Sequence, residues 1–366
     1  MTETEKIDWV YSQLDDDESK FIFQKRKEFN YGHDYKYIGE IIDRYVTELS
    51  KCKWYPEKEK DLIRIVKECG KKIVVFGAGY YGGKVLHLCE IGGVKVDFFC
   101  DNAPEKWHTK VEDKVTVISL QELAGMKTMD DYVIIVSPKY GYKEIDDMLV
   151  RYGISACNIY NFAEFFSVSL EIQYFDDRLF QYEQEEVFID AGCFDFKTSQ
   201  DFLNRVSGKG VECKKIYAFE PDYTNFLKCK HKIEKLGLNN VELVQACLWS
   251  KDTYLDFLAQ GDGSSHLLFS DMADSNKTKA IALDSFIQDR VTFIKMDIEG
   301  AELDALKGAE QIILRDKPKL AICIYHKAED IWEIPYYIKT LVPEYKLYIR
   351  HYSNNDAETV LYAIYE

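Results

Sequence analysis

The rhythm of apolar and polar positions changes three times along the chain of 366 residues. In the first stretch charged runs alternate with apolar residues such as Ile41, Ile42, Tyr45, Val46 and Leu49 at helical spacing, with no strand-like alternation. An N-terminal helical segment of two or three helices is therefore predicted over residues 1–70. These helices are free to pack on another domain, or to support an oligomer by packing on a second chain. The acidic run Asp15 to Glu18 reads as a solvated cap or turn.

At Lys71 the pattern becomes KKIVVF, a short apolar strand, followed by GAGYYGG and then by KVLHLCE at helical spacing. Gly77, Gly79 and Gly82 form G-x-G-x-x-G between a strand and a helix, where backbone can approach a phosphate at a helix amino terminus. A second strand, Val94 to Cys100, ends on Asp101, 22 residues past Gly79, which suits an acid reaching a ribose. A third apolar run spans Tyr132 to Val136. The pattern predicts a Rossmann-like domain over 71–166. Tight strand-to-helix turns also use glycine without any ligand, so nucleotide binding here is one of two readings. No catalytic pair stands near the glycines, which ranks a nicotinamide-dependent enzyme last. Residues 167–186 are acidic and aromatic and are expected to form a connecting helix.

Strand and helix patterns alternate again over 187–366, which predicts a parallel sheet. Its strands end on Asp190, on Glu220 and, in the stretch VTFIKMDIEGAELDALKGAEQIILR, on Asp297. For any one acid the plain reading is a solvated cap. Asp297, Glu299 and Glu302, however, are three acids within six residues at a strand exit, where open α/β sheets hold their ligands. The next strand, Leu320 to Tyr325, ends on His326, a base candidate because imidazole titrates near neutral pH. The final two runs flank Ser353 to Asp356, which predicts a terminal hairpin contributing an antiparallel edge strand.

Composition narrows the function classes. Lys plus Arg number 47 against 63 Asp plus Glu, a net charge of −16. That balance argues against nucleic-acid partners, which demand phosphate neutralisation, and against anionic membrane surfaces. The opening MTETEKIDWV has no apolar signal core, and no stretch approaches the ~20 apolar residues of a membrane helix. Ten cysteines without a C-x-x-C pair read as reduced, mostly buried thiols of a cytoplasmic protein.

From about 187 to 364 the chain resembles the FkbM family of S-adenosylmethionine-dependent methyltransferases. The resemblance rests on IDAGCFDFKTS, YAFEPD, the loop containing GDGSSHL, ALDSF, FIKMDIEGAELDALKGA, LAICIYH and ETVLYAI, with KMDIEGAE before LKGA the most specific. The first half looks like the nucleotide-binding-type domain often placed before such enzymes. The implied fold class is α/β: two Rossmann-like domains, the second a class I methyltransferase fold with a terminal antiparallel hairpin, plus the N-terminal helices. The implied cofactor is S-adenosylmethionine, and the implied acceptor is a sugar or glycan-type hydroxyl. Asp190 and Gly192 would meet the methionine end, Glu220 the ribose hydroxyls, and the Cys247 to Ser250 loop the adenine. Asp297 and Glu299 would orient His326, bind the acceptor, or hold a divalent cation with it; spacing leaves the metal open. One departure stands out. Phe196 occupies the place of a second family glycine, where a ring either crowds the donor or packs beneath the loop. The alternative is a non-catalytic nucleotide-sugar-binding protein with a degenerate second domain.

Overall fold

The computed structural model describes residues 1–52, 56–126, 131–138, 142–162, 169–258, 266–267 and 277–365. Two compact units emerge, Lys51–Val168 and a second made of Met1–Ser50 with Ser169–Glu366. The helical segment expected over 1–70 is thus divided between them. Helices α1 (Glu3–Ser12), α2 (Asp17–Gly32) and α3 (Lys36–Tyr45) belong to the second unit, and α4 (Pro56–Glu68) to the first. Apolar faces decide the split: Leu62 and Val66 of α4 lie in one core with Ile73 and Val85.

The first unit continues through β1 (Lys72–Phe76), α5 (Tyr80–Ile91), β2 (Phe98–Cys100), β3 (Lys110–Val111), β4 (Val115–Ile118), α6 (Leu120–Gly125), β5 (Tyr132–Val136), α7 (Tyr142–Arg151) and β6 (Ile159–Asn161). Its six strands run in the order β3-β4-β2-β1-β5-β6. All neighbours are parallel except β3 and β4. Gly77 has φ +99°, and a Cβ there would lie 2.6 Å from Ser137 Oγ; a Cβ on Gly82 would lie 2.1 Å from the Gly77 carbonyl oxygen. Both glycines are therefore required by the turn itself. Asp101 does not reach outward for a ribose. Its carboxylate accepts the Ala78 N–H at 2.7 Å and the Ala103 N–H at 2.9 Å and lies 3.0 Å from Lys106 Nζ. Burial would raise its pKa, but those backbone donors and Lys106 hold it below the ordinary range.

The second unit contains β7 (Glu185–Ala191), α8 (Lys197–Gly208), β8 (Glu212–Phe219), α9 (Tyr223–Leu236) and β9 (Val241–Val244). There follow β10 (Cys247–Leu248), β11 (Thr253–Leu258), β12 (His266–Leu267), β13 (Lys277–Ile281) and α10 (Leu283–Phe286). The remainder is β14 (Phe293–Met296), α11 (Glu302–Lys307), α12 (Glu310–Asp316), β15 (Lys319–Cys323), α13 (Asp330–Leu341), β16 (Lys346–His351) and β17 (Thr359–Ile364). The main sheet has seven strands in the order β16-β17-β15-β14-β7-β8-β9. Strands β10 to β13 form a small separate sheet. Apart from His266 and Leu267, the GDGSSHL loop lies outside the described residues.

The antiparallel strand is not at the edge, as the hairpin pattern suggested. Strand β17 lies between β15 and β16 and pairs antiparallel with both. Every residue of TVLYAI is buried, so a strand apolar on both faces goes inside the sheet. The edge falls to β16, and the N-terminal helices cover it. Leu14 bridges Leu347 in parallel, and Asp15 exchanges backbone and side-chain hydrogen bonds with the Leu347 peptide at 3.0 and 2.6 Å. Asp16 caps α2 by accepting the Ser19 N–H at 2.8 Å and pairs with the buried guanidinium of Arg350 at 2.5 Å. The acidic run is thus a clamp on an exposed sheet edge rather than a solvated turn.

Residues 169–184 form turns instead of the expected connecting helix. Each aromatic is drawn separately into the core: Phe175 meets Phe188, Phe202 and Phe293 at 5.7 to 5.9 Å between ring centroids. Tyr174 takes φ +68°, which helix does not allow. Asp16→Ala should lower the unfolding free energy by about 1–3 kcal/mol, through a lost cap and the loss of one of the two carboxylates beside Arg350, which keeps Glu18. Chemical denaturation followed by circular dichroism checks this; an unchanged midpoint refutes the clamp.

Candidate active site

The strand order reverses at β7, which has β8 on one side and β14 on the other. At such a switch point the loops leaving neighbouring strands part and a crevice opens at their carboxyl ends. A cavity of about 500 Å³ lies there, lined among others by Gly192, Phe194, Glu220, Cys247, Asp297 and Glu299.

The first wall is the loop after β7. Gly192 has φ +75°, and a Cβ would come within 2.0 Å of the Asp297 carbonyl oxygen, so only glycine lets this loop pass the β14 exit. Phe194, at φ +51°, faces the cavity. Phe196, at φ +66°, is wholly buried in the core with Phe188 and Phe202 and does not line the cavity. The ring packs beneath the loop and leaves the backbone path open.

Glu220 directly follows β8 and is buried. Its Oε2 accepts the Phe194 N–H at 3.0 Å and its Oε1 the Asp222 N–H at 2.9 Å, so both walls lock onto one carboxyl. Burial outweighs those bonds and pushes its pKa up to about 7. Cys247 lines the cavity beyond it, its thiol pushed up to about 12 by burial, while Ser250 stands outside the lining.

Asp190 was expected at the cavity wall but lies behind it. Its carboxylate is fully buried, accepting the Ser199 hydroxyl at 2.7 Å and meeting Lys295 Nζ at 3.0 Å. Lys295 also donates to the carbonyls of Ala191 at 3.0 Å and Gly192 at 2.7 Å. Burial would depress this ammonium, but Asp190 and Asp297 hold its pKa above the ordinary lysine range. The sequence reading passed over Lys295. The available signal was a lysine in the interior of FIKMD, a position whose burial demands a partner.

Asp297, at the β14 exit, has a side chain 24 % exposed, against 9 % for His326. Its carboxylate accepts the Tyr174 hydroxyl at 2.7 Å and the Tyr325 hydroxyl at 3.4 Å. Burial would raise its pKa, but the charges on His326 and Lys295 keep it below the usual carboxylate range. His326 sits beside Asp297 rather than in the cavity lining: Nε2 is 3.4 Å from Asp297 and 3.7 Å from Glu299, and Nδ1 is 3.0 Å from Glu302. Burial would lower its pKa, yet Glu302, Asp297 and Glu299 carry it up to about 10. At neutral pH the ring is an imidazolium among carboxylates, not the free base its strand-end position suggested. Glu358, after the last turn, is a further cavity residue that the sequence reading did not single out. Glu299 and Glu358 both hold left-handed backbone, at φ +54° and +62°, the kind of strain that gathers at ligand sites.

This fold and crevice, with a family match that takes in most of the cavity's lining, define an S-adenosylmethionine-dependent methyltransferase. The match covers residues 192–354, and its family is described as Methyltransferase FkbM domain. The chain therefore carries an FkbM methyltransferase domain. Residues 69–160 match a second family, described as C2185-like, N-terminal. Among solved structures, Methyltransferase FkbM from Methylobacillus flagellatus KT is similar at 19% identity and a TM-score of 0.53, covering 90% of this chain and 98% of that chain. At that identity the likeness is one of fold. An rRNA methylase from Streptococcus thermophilus is similar at 17% identity and a TM-score of 0.33, covering 50% of this chain and 88% of its own. A SAM dependent methyltransferase from Aquifex aeolicus stands at 18% identity, a TM-score of 0.31, and coverage of 53% and 90%. No curated protein matches the chain.

Restoring the family glycine should not help. Phe196→Gly regains roughly 1–2 kcal/mol of left-handed backbone strain but loses a buried ring worth about 3–5 kcal/mol. A net loss of about 2 kcal/mol is expected in urea unfolding, with donor binding retained in calorimetry. A more stable variant would show that the ring is not a core element.

Proposed function

We propose that the chain methylates a hydroxyl of a sugar or glycan-type small acceptor. The acceptor oxygen attacks the methyl carbon in line with the departing sulfur. A C–O bond forms as the C–S bond breaks, the sulfonium becomes a neutral thioether, and the hydroxyl proton leaves to a carboxylate. Since the leaving group is neutral, alignment is the main demand on the protein. The observation that carries the reading is that Glu220 and Asp297 line one cavity.

In this reading Glu220 accepts the ribose hydroxyls, the Gly192 loop passes along the methionine end, and the Cys247 side covers the adenine. Asp190 acts indirectly, by fixing Lys295 and through it the carbonyls of the Gly192 loop. Asp297 receives the acceptor hydroxyl, its charge held in place by Tyr174, Tyr325 and His326. Glu299 flanks it at the mouth. His326 serves as a positioning cation instead of the proton acceptor.

A reading without nucleic-acid or membrane partners is supported by the net charge of −16. Among the described residues no helix is long and apolar enough to cross a membrane. Nine cysteines among them are free thiols, which fits a reducing compartment such as the cytoplasm. Oligomer formation through the N-terminal helices is disfavoured, because Val10, Ile22 and Phe23 are already buried within the chain.

Calorimetry with S-adenosylmethionine should give saturable binding that Glu220→Ala weakens by about tenfold or more. Transfer of labelled methyl to free sugars or glycans, as base-stable ethers, supports the acceptor class; label found only in protein or RNA refutes it. Binding should also depend on pH. With a free-protein pKa of about 7, Glu220 loses its charge as pH falls, and the acceptor pair offered to the ribose is lost with it. The donor Kd should therefore be roughly tenfold weaker at pH 6 than at pH 8, the ratio of ionised fractions for such a group. A flat profile would remove Glu220 from the donor site.

A further inference from the structure

Behind Asp297 and His326 lies a buried carboxyl that methyl transfer as described does not use. Glu302, the first residue of α11, is completely buried. Its Oε1 accepts the Ile298 N–H at 2.8 Å, but its Oε2 has no hydrogen-bond partner, and neither ring nitrogen of His326 makes a directed hydrogen bond. The 3.0 Å contact between His326 and Glu302 is an ion pair whose N–H points off the line to the oxygen. Asp330 is buried nearby and feels the charge of Glu302. Glu302, Asp330, Asp297 and Glu299 share the charge of one imidazole, a balance that an added cation would improve. Lys295 does not fill that need, since its donors go to Asp190 and two backbone carbonyls.

One oxygen each from Asp297 and Glu302 and one ring nitrogen of His326 lie within 4.8 Å of one another. Ligands about 2.0–2.2 Å from a common ion are separated by roughly 3–4.4 Å, so modest side-chain adjustment closes the set. We propose that Asp297, Glu302 and His326 bind a divalent first-row transition-metal ion. Two carboxylates and an imidazole favour manganese, iron, cobalt or zinc over the all-oxygen preference of calcium and magnesium. The ion would replace the ring proton and take over the positive charge that His326 otherwise places beside Asp297. Asp297 belongs both to this set and to the cavity wall, which would bring a bound ion close to the acceptor. Held there, the ion would supply polarisation of the acceptor hydroxyl and ease its deprotonation. That role rests on the methyltransferase reading; the binding site itself does not.

Manganese titration of the full chain, followed by electron paramagnetic resonance, tests the site. One Mn²⁺ per chain should disappear from the free-ion signal, and chelator-treated protein should melt at a higher temperature when Mn²⁺ is returned. Glu302→Gln and His326→Gln should each weaken Mn²⁺ binding by about 10-fold or more while calorimetry still detects S-adenosylmethionine. An undiminished free-ion signal with wild type overturns the proposal, as does a folded Glu302→Gln variant that binds Mn²⁺ like wild type. Should the variants fail to fold, the wild-type melt decides: no rise with Mn²⁺ overturns it. Normal Mn²⁺ binding without any donor binding would instead count against the donor reading and leave the metal site standing.

Discussion

The second unit depends on one buried ion pair. Lys295 enters the sheet on β14 and places its ammonium among the Asp190 carboxylate and the carbonyls of Ala191 and Gly192. It joins β14 to the end of β7 at the point where their loops must diverge. A buried pair of this kind contributes little net stability against an apolar substitute, but losing one partner leaves a charge stranded in the core. Its value is geometric. It fixes the Gly192 loop, and a glycine is all that fits where that loop passes the Asp297 carbonyl. The cavity, the Gly192 loop and Asp297 thereby share a single anchor.

Around that anchor the electrostatics divide into two ends. At one end Glu220 is buried among backbone donors and its pKa rises to about 7. At the other, Asp297 sits between His326 and Lys295 and remains charged. Environments that push two carboxyl groups in opposite directions separate a group that responds to pH from one that stays ionised. The imidazole illustrates the same principle. Placed among three carboxylates, His326 becomes a cation, and a residue type usually taken for a base turns into part of a charge cluster.

Much of this was legible along the chain. Alternating strand and helix patterns gave the α/β class, and strand exits at Asp190, Glu220 and Asp297 located the ligand end of the sheet. Gly192 and the KMDIEGAE stretch marked the loops that form the walls. Other features were not legible because they depend on partners distant in sequence. The run Asp15 to Glu18 looks solvated until Arg350 and the β16 edge are placed against it. The aromatic residues of 169–184 look like a helix face until each finds its own site in the core.

The sequence by itself determined which elements form and which ends of the strands carry polar groups, because periodicity and turn chemistry are local properties. Tertiary structure alone decided that Asp190 is an internal counter-ion and Glu220 a cavity residue, since burial and hydrogen-bond partners are set by strands far apart in the chain. It also decided that Phe196 is core, that β17 lies inside the sheet, and that Glu302 and His326 meet beside Asp297. A carboxyl or imidazole acquires its chemistry from the charges packed around it, and those are fixed only when the sheet closes.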